Sequence, residues 1–267
     1  KLVEVEDLYR PFKEKKKTRA TDAKKKGLDP LAAYLLSVPL EGDVEAEAAK
    51  DVTNLEGKSD EEIEAMKKEG LIVKNTAEAI QGAKDIIAEV VSDDAHYRSG
   101  IRDYFEKNAS IKCTVKDAAL DEKKVYEMYY DYNEPIKTVK LHRILAINRA
   151  EAEKVIKVEL AEDYATVLNY ICSDKITVAE SITAGLVREA CEDAYERLIK
   201  SAIVREIRGD LKEKAENQAI HIFGENLRNY LLQPPMKGKT VLGVDPAFRT
   251  GCKLAVVDAT GKLLEKS

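Results

Sequence analysis

TAEAIQGAKDIIAEVV, residues 76–91, sets the class of fold. Its apolar positions Ala79, Ile80, Ala83, Ile86, Ile87, Val90 and Val91 recur every three or four residues, the spacing that lines one face of an α-helix. Asn75-Thr76 opens that helix. The same signature extends outward in both directions. On the N-terminal side, Asp29-Pro30 starts a helix, LAAYLLS, that stops before Pro39. Asp43 to Asn54 is Ala/Glu-rich and helical, and Ser59-Asp60-Glu61-Glu62 reads as a cap with acids in the first turn of a helix running to about Glu69. On the C-terminal side, Ser92 or Asp93 is expected to cap a helix with Ile101, Tyr104 and Phe105 on one face. From Ala161 to Leu232 the pattern is nearly all helix. Asp174 to Thr177 is its main turn, Ser181-Ile182-Thr183 interrupts little, and Arg208-Gly209 is the weak point of a last helix or kinked pair. Gln233-Pro234-Pro235 ends it.

Two regions break this period. Ile111, Cys113 and Val115 alternate with Lys112, Thr114 and Lys116, as in a half-buried strand. A matching run, KVIKVEL at 154–160, predicts a small ribbon (about 110–116 with 154–160) within a helical body. Two helical pieces, separated by Asn133-Glu134-Pro135, are expected between them. Tyr126, Tyr129 and Tyr130 then share a helix face, for which core packing is the ordinary role. With Tyr132 they are also the kind of surface on which single strands stack. After Pro235 the pattern becomes strand, turn, strand. Thr240 to Val244 delivers Asp245 to a Pro/Gly loop, Lys253 to Val257 follows, and Asp258-Ala259-Thr260-Gly261 is a hairpin turn.

Of the 267 residues, 35% are charged and 44% hydrophobic, which describes a folded, helix-rich chain and not a disordered one. No apolar run approaches the roughly 20 residues a membrane span needs, so no membrane partner is expected. The N-terminus KLVEVEDLYR lacks the layout of a signal peptide. Lys1, in place of an initiator Met, reads as the start of a piece of a longer protein. Cys113, Cys172, Cys191 and Cys252 are far apart with no C-x-x-C pair, as expected of reduced thiols in a cytoplasmic protein. His96, His142 and His221 are equally scattered, and neither a metal nor another cofactor is expected.

Charge is unevenly spread. RPFKEKKKTRATDAKKK, residues 10–26, holds nine basic residues against Glu14 and Asp22, a net +7 in a chain of net −5. Lys13, Lys15, Lys16, Lys17, Arg19, Lys24, Lys25 and Lys26 of this basic arm are candidates to neutralise phosphates; a solvated loop is the plainer role of such a run. Tyr9 and Phe12 flank the arm. They are aromatic faces able to stack on bases, though packing onto the helical body is the commoner fate. His142, Arg143, Asn148 and Arg149 form a second polar set, which either touches a phosphate backbone or braces the following strand. Arg249 adds one more cation in the loop after Asp245. Metal-dependent nucleases gather several carboxylates from different strands, and Asp245 is only one. No P-loop, dinucleotide-binding glycine motif or Ser-His-Asp arrangement is present, so the chain is read as non-enzymatic.

Three stretches resemble the bacterial Tex family of transcription accessory proteins: VEDLYRPFKEKKKTRATDAKKKGLDPLA (5–32), MYYDYNEPIKTVKLHRILAINRAEAEKVIKV (128–158) and FGENLRNYLLQPPMKGKTVLGVDPAFRTGCKLAVVDATGKLLE (223–265). Residues 41–76 match less well. The resemblance implies a mainly α fold, a helical bundle-like body with a small β ribbon over residues 1–233. Residues 234–267 are then the incomplete start of a YqgF domain, a truncated RNase H-like hairpin. It implies a larger parent with further helix-hairpin-helix and OB-type RNA-binding parts, which binds RNA or DNA without sequence preference and works with transcription or translation machinery. It also implies that Asp245 occupies a vestigial catalytic position. The competing expectations are an RNase H-like nuclease or resolvase whose active site is cut short here, and a protein-interaction scaffold.

Overall fold

The computed structural model describes residues 2–57, 59–234, 236–249 and 251–267. Lys1 and Pro235, on which two expectations above bear, lie outside them. The chain forms two compact units, residues 1–215 and 216–267. The first carries helices α1 (Leu2–Tyr9), α2 (Arg19–Lys25), α3 (Asp29–Leu36), α4 (Val44–Ala49), α5 (Asp60–Glu69), α6 (Thr76–Asp93) and α7 (Ala95–Asn108). Strand β1 (Ser110–Val115), strand β2 (Asp131–Pro135), helix α8 (Leu141–Ala152) and strand β3 (Ile156–Ala161) follow. Then come α9 (Tyr164–Lys175), α10 (Ala184–Asp193), a π turn (Ala194–Ile199) and α11 (Lys200–Leu231), along which the boundary between the units falls.

Helix α6 is the axis of the first unit. Ala79, Ala83, Ile86, Ile87 and Val91 are buried as the period predicts, while Val90 is exposed. Helices α2, α3, α4, α10 and the π turn all pack on α6. Close approach is possible because α6 offers Ala and Gly where neighbours cross. A Cβ added at Gly82 would lie 2.4 Å from Leu28 Cδ1 and 3.3 Å from Ala23 Cβ. Caps set the helix ends. Asn75 accepts from the Glu78 N–H at 2.8 Å, and Ser59 and Glu62 form a reciprocal capping box. Asp94, not Ser92 or Asp93, caps α7 by accepting from His96 N at 2.9 Å.

The predicted pairing of β1 with β3 is present and antiparallel, with Cys113 opposite Val158 and Ile111 opposite Leu160. The ribbon, however, has three strands, in the order β2-β1-β3. Asn133-Glu134-Pro135, expected as a break between helices, is part of β2 and pairs antiparallel with β1. Pro135 sits at the strand end, where a missing N–H costs least. Residues 118–129 form short 3₁₀ turns and not a helix. They are organised by the buried Asp121, which accepts from Val125 N (2.8 Å), Tyr126 N (2.7 Å) and the Tyr130 hydroxyl (3.1 Å). Tyr126 and Tyr129 are buried as expected, but by this loop and not by a helix face.

Ser181-Ile182-Thr183 also does more than anticipated. Residues 176–183 form a true break between α9 and α10. Ser181 Oγ donates to Pro39 O at 2.8 Å and Thr183 Oγ1 to Leu35 O at 2.9 Å, satisfying one carbonyl in the last turn of α3 and one in the loop that follows it. Arg208-Gly209 leaves α11 unbroken.

In the second unit, β4 (Val241–Asp245), β5 (Lys253–Val257) and β6 (Leu263–Lys266) form an antiparallel sheet in that order. Asp258 shapes the β5–β6 turn by accepting from Thr260 N (2.8 Å) and Lys262 N (3.0 Å). Leu242, Val244, Phe248, Leu263 and Leu264 are exposed. Among the described residues, no helix is long and apolar enough to cross a membrane.

Candidate nucleic-acid interface

The basic stretch is not a loose arm. Thr18 caps α2: its hydroxyl accepts from Thr21 N at 3.1 Å, and its own N–H donates to Thr21 Oγ1 at 2.8 Å. Ala20 and Ala23 bury the inner face of α2 against α6. Acids on α6 then meet the arm's cations. Glu89, itself buried, accepts from Thr18 Oγ1 at 3.0 Å and lies 3.4 Å from Lys15 Nζ and 3.5 Å from Lys24 Nζ. One turn on, Asp93 pairs with Arg10 Nε at 3.3 Å and with the Lys15 ammonium. Toward the start of α6, Glu78 accepts from Lys26 Nζ at 2.6 Å. That bond, helped by the Lys74 N–H, holds the Glu78 carboxyl below the usual carboxylate range.

These contacts divide the candidate residues. Lys15, Lys24 and Lys26, with Arg10, fasten the arm to α6. Lys17, exposed, is 3.8 Å from Asp22. Lys13, Lys16, Arg19 and Lys25 are exposed and, among the described residues, make no ion pair. The stretch's +7 falls to +4 once Glu78, Glu89 and Asp93 are counted with it.

A groove of about 620 Å³ runs between the arm, α6 and the π turn, lined by Lys13, Lys15, Lys16, Arg19, Asp85 and Arg197 among others. Arg197 has no counterpart among the residues singled out from the sequence. It lies on the π turn, a local widening that changes which side chains a helix presents, and its Nε donates to Asp193 at 2.8 Å. Burial pushes the Asp85 carboxyl up, against the pull of Gln81, Arg19 and Arg197, whereas the Arg197 hydrogen bond holds Asp193 low. A second hollow of about 600 Å³ lies beside the first, between the end of α1 and α6.

The second polar set does not join the arm. It lies on α8, which packs on β3, whereas α2 packs on α6. Arg143 braces the sheet: Nη1 donates to Glu134 Oε2 at 2.9 Å and Tyr132 OH at 3.3 Å. His142 and Arg149, seven residues apart, share an exposed face of α8. Arg249 is exposed in the β4–β5 loop of the second unit. Asp245 ends β4, exposed and opposite Lys253 in the sheet register. Among the described residues, no group of three or more His, Cys, Asp or Glu is arranged to hold a metal ion.

A charged cluster with no local sequence signal lies next to the arm. Arg98, 1% exposed, donates from Nε to Asp7 Oδ1 at 2.6 Å and from Nη2 to Glu206 Oε1 at 3.2 Å. Arg102 Nη2 bridges the same two acids at 2.6 and 2.9 Å. This clasp ties α1 to α7 and α11, so the base of the arm stands on a fixed support.

Fold and surface thus define a helical body with a basic, groove-forming arm and a small open sheet, without clustered metal-binding acids among the described residues. A family model described as "Tex central region-like" matches residues 55–223, and one described as "Tex protein YqgF-like domain" matches residues 239–267. The chain belongs to the Tex family. It is 52% identical over 266 residues to Uncharacterized protein YdcI of Bacillus subtilis (strain 168), covering 99% of this chain and 35% of that protein. It is 32% identical to Protein tex of Bordetella pertussis and 32% identical to Transcriptional accessory protein Tex of Neisseria gonorrhoeae, in each case over 98% of this chain and 33% of the relative. The chain therefore spans about a third of the length of these relatives.

Proposed function

We propose that this chain is a non-enzymatic scaffold segment of a nucleic-acid-associated transcription accessory protein, and that the arm contacts the phosphate backbone without reading sequence. The observation that carries this is the division of the arm. Four cations are used to fasten it, and Lys13, Lys16, Arg19 and Lys25 are left exposed, the first two in the loop ahead of the Thr18 cap and the other two at the ends of α2. Such cations release counterions from a polyanion and position it, but phosphate contacts carry no base information. The printed name of the Neisseria gonorrhoeae relative supports a transcription-associated role. Three buried free thiols, Cys113, Cys172 and Cys191, fit the cytoplasmic setting expected from the sequence. His142, Arg149 and Arg249 are exposed and stand as secondary contacts; Arg143 is better read as a brace.

Fluorescence anisotropy with labelled oligonucleotides across a salt series tests the reading. Binding should weaken linearly in log–log form. Lys13→Ala, Lys16→Ala, Arg19→Ala and Lys25→Ala together should lower the slope by about 0.7 per lost contact on single strands. Binding that ignores both salt and these substitutions would overturn the proposal. The nuclease reading rests on Asp245 alone; metal-dependent cleavage that disappears in Asp245→Asn would restore it.

A further inference from the structure

Two aromatic rings stand open in the stretch of chain just ahead of the exposed Lys13 and Lys16, and phosphate contact makes no use of them. Tyr9, the last residue of α1, is 58% exposed, and Phe12, the last residue of the 3₁₀ turn Arg10–Phe12, is 80% exposed. The commoner fate of such rings is packing onto the helical body; neither is there. Their supports are rigid. The Asp7 clasp holds α1, Pro11 restricts the backbone between the rings, and Lys13 N closes the turn on Arg10 O at 3.3 Å. Lys13 follows Phe12 directly, and Lys13 and Lys16 line the groove.

We infer that Tyr9 and Phe12 form a base-stacking platform beside the phosphate-contacting lysines, so that the ligand is a single-stranded nucleic acid and not a duplex. The inference rests on the phosphate reading above. Bases in a duplex are stacked on each other and show only their edges, whereas a single strand offers a π-face to each ring. Leu2, Val5 and Leu8 continue the exposed side of α1, which makes an apolar protein surface the rival occupant. The cations at Lys13 and Lys16 favour the polyanion.

The test compares three labelled ligands of equal length at one low salt concentration: a mixed-sequence single strand, an abasic strand with the same phosphates, and a duplex. The chain should bind the single strand about tenfold or more tightly than the abasic strand. Tyr9→Ala with Phe12→Ala should erase that margin while abasic binding stays unchanged. Because both rings are in water, the variant should keep its thermal midpoint. The chain has no tryptophan, so Phe12→Trp adds a unique fluorophore. Its emission should be quenched by the single strand and not by the abasic one. Equal affinity for the two strands, a duplex bound best, or an indole left unquenched in the Phe12→Trp variant would overturn stacking and leave the phosphate reading standing. Failure to bind any of the three ligands would overturn the phosphate reading, and this inference with it.

Discussion

The clasp at Asp7, Arg98, Arg102 and Glu206 and the arm on α6 are built from the same residue types and do opposite things. In the clasp two guanidiniums meet two carboxylates, Arg98 is fully enclosed, and every charge has an opposite partner within 3.2 Å. The arm has nine cations, and the acids on α6 meet four of them. Buried charge must be balanced because desolvation is severe and one missing partner leaves the other stranded. Exposed charge carries no such requirement, so an excess can persist and remain available to a ligand. On the proposed reading, balance separates the structural charges of this chain from those open to a ligand.

The comparison is broken most forcefully at Asp7. Asp7→Ala removes a partner from both arginines and should destabilise the first unit by about 3–5 kcal/mol in urea unfolding. Replacing all four clasp residues by apolar ones of similar volume should recover much of that loss, since the penalty comes from the stranded charge. Glu89 lies between the extremes: it is buried, yet its cations also reach water. Glu89→Gln keeps an acceptor for Thr18 and loses the charge facing Lys15 and Lys24, and it should cost about 1–2 kcal/mol by the same measurement.

How far the sequence reveals these features depends on the range of the interaction. The faces of α6 and α7, the caps at Ser59 and Asn75 and the pairing of β1 with β3 rest on local period and local hydrogen bonds, and they are legible. Strand β2 is not. Asp131, Asn133 and Pro135 favour turns, and the strand exists because β1 has a free edge to pair. The clasp is hidden because Asp7 is 91 residues from Arg98, and Glu206 is 108 further on. Glu89 leaves only half a signal: a carboxylate set among Ile86, Ile87, Val90 and Val91 needs a cation, but Lys84 and Arg98 are nearer in sequence than Lys15 and Lys24, which the fold supplies. The run of lysines taken alone conceals that signal, so the arm looks loose and all its lysines equally available.

Acid should weaken one fastening of the arm, the Lys26–Glu78 pair. The Glu78 carboxyl is held below its ordinary value by Lys26 first and the Lys74 N–H second. A carboxyl depressed in the folded state contributes its full stabilisation above the unfolded value, about 4.3 for Glu, and loses it as pH falls through the lower folded value. The pair is partly exposed, so its share should be under about 1 kcal/mol. Lys26→Gln should flatten that part of the stability profile below about pH 5 and leave the neutral range nearly unchanged, as chemical denaturation at several pH values would report.

The smallest stability effect separates the two kinds of charge most cleanly. Lys16 and Lys25 are exposed, and among the described residues neither makes an ion pair, so Lys16→Ala with Lys25→Ala should shift unfolding by no more than about 0.5 kcal/mol. The same variant should lower the salt slope of single-strand binding by about 1.4 if both contact phosphate. A large loss of stability would show that these lysines are fastened after all, and would place the whole arm with the clasp. An unchanged fold with a reduced slope would show that the arm's surplus charge serves the ligand alone.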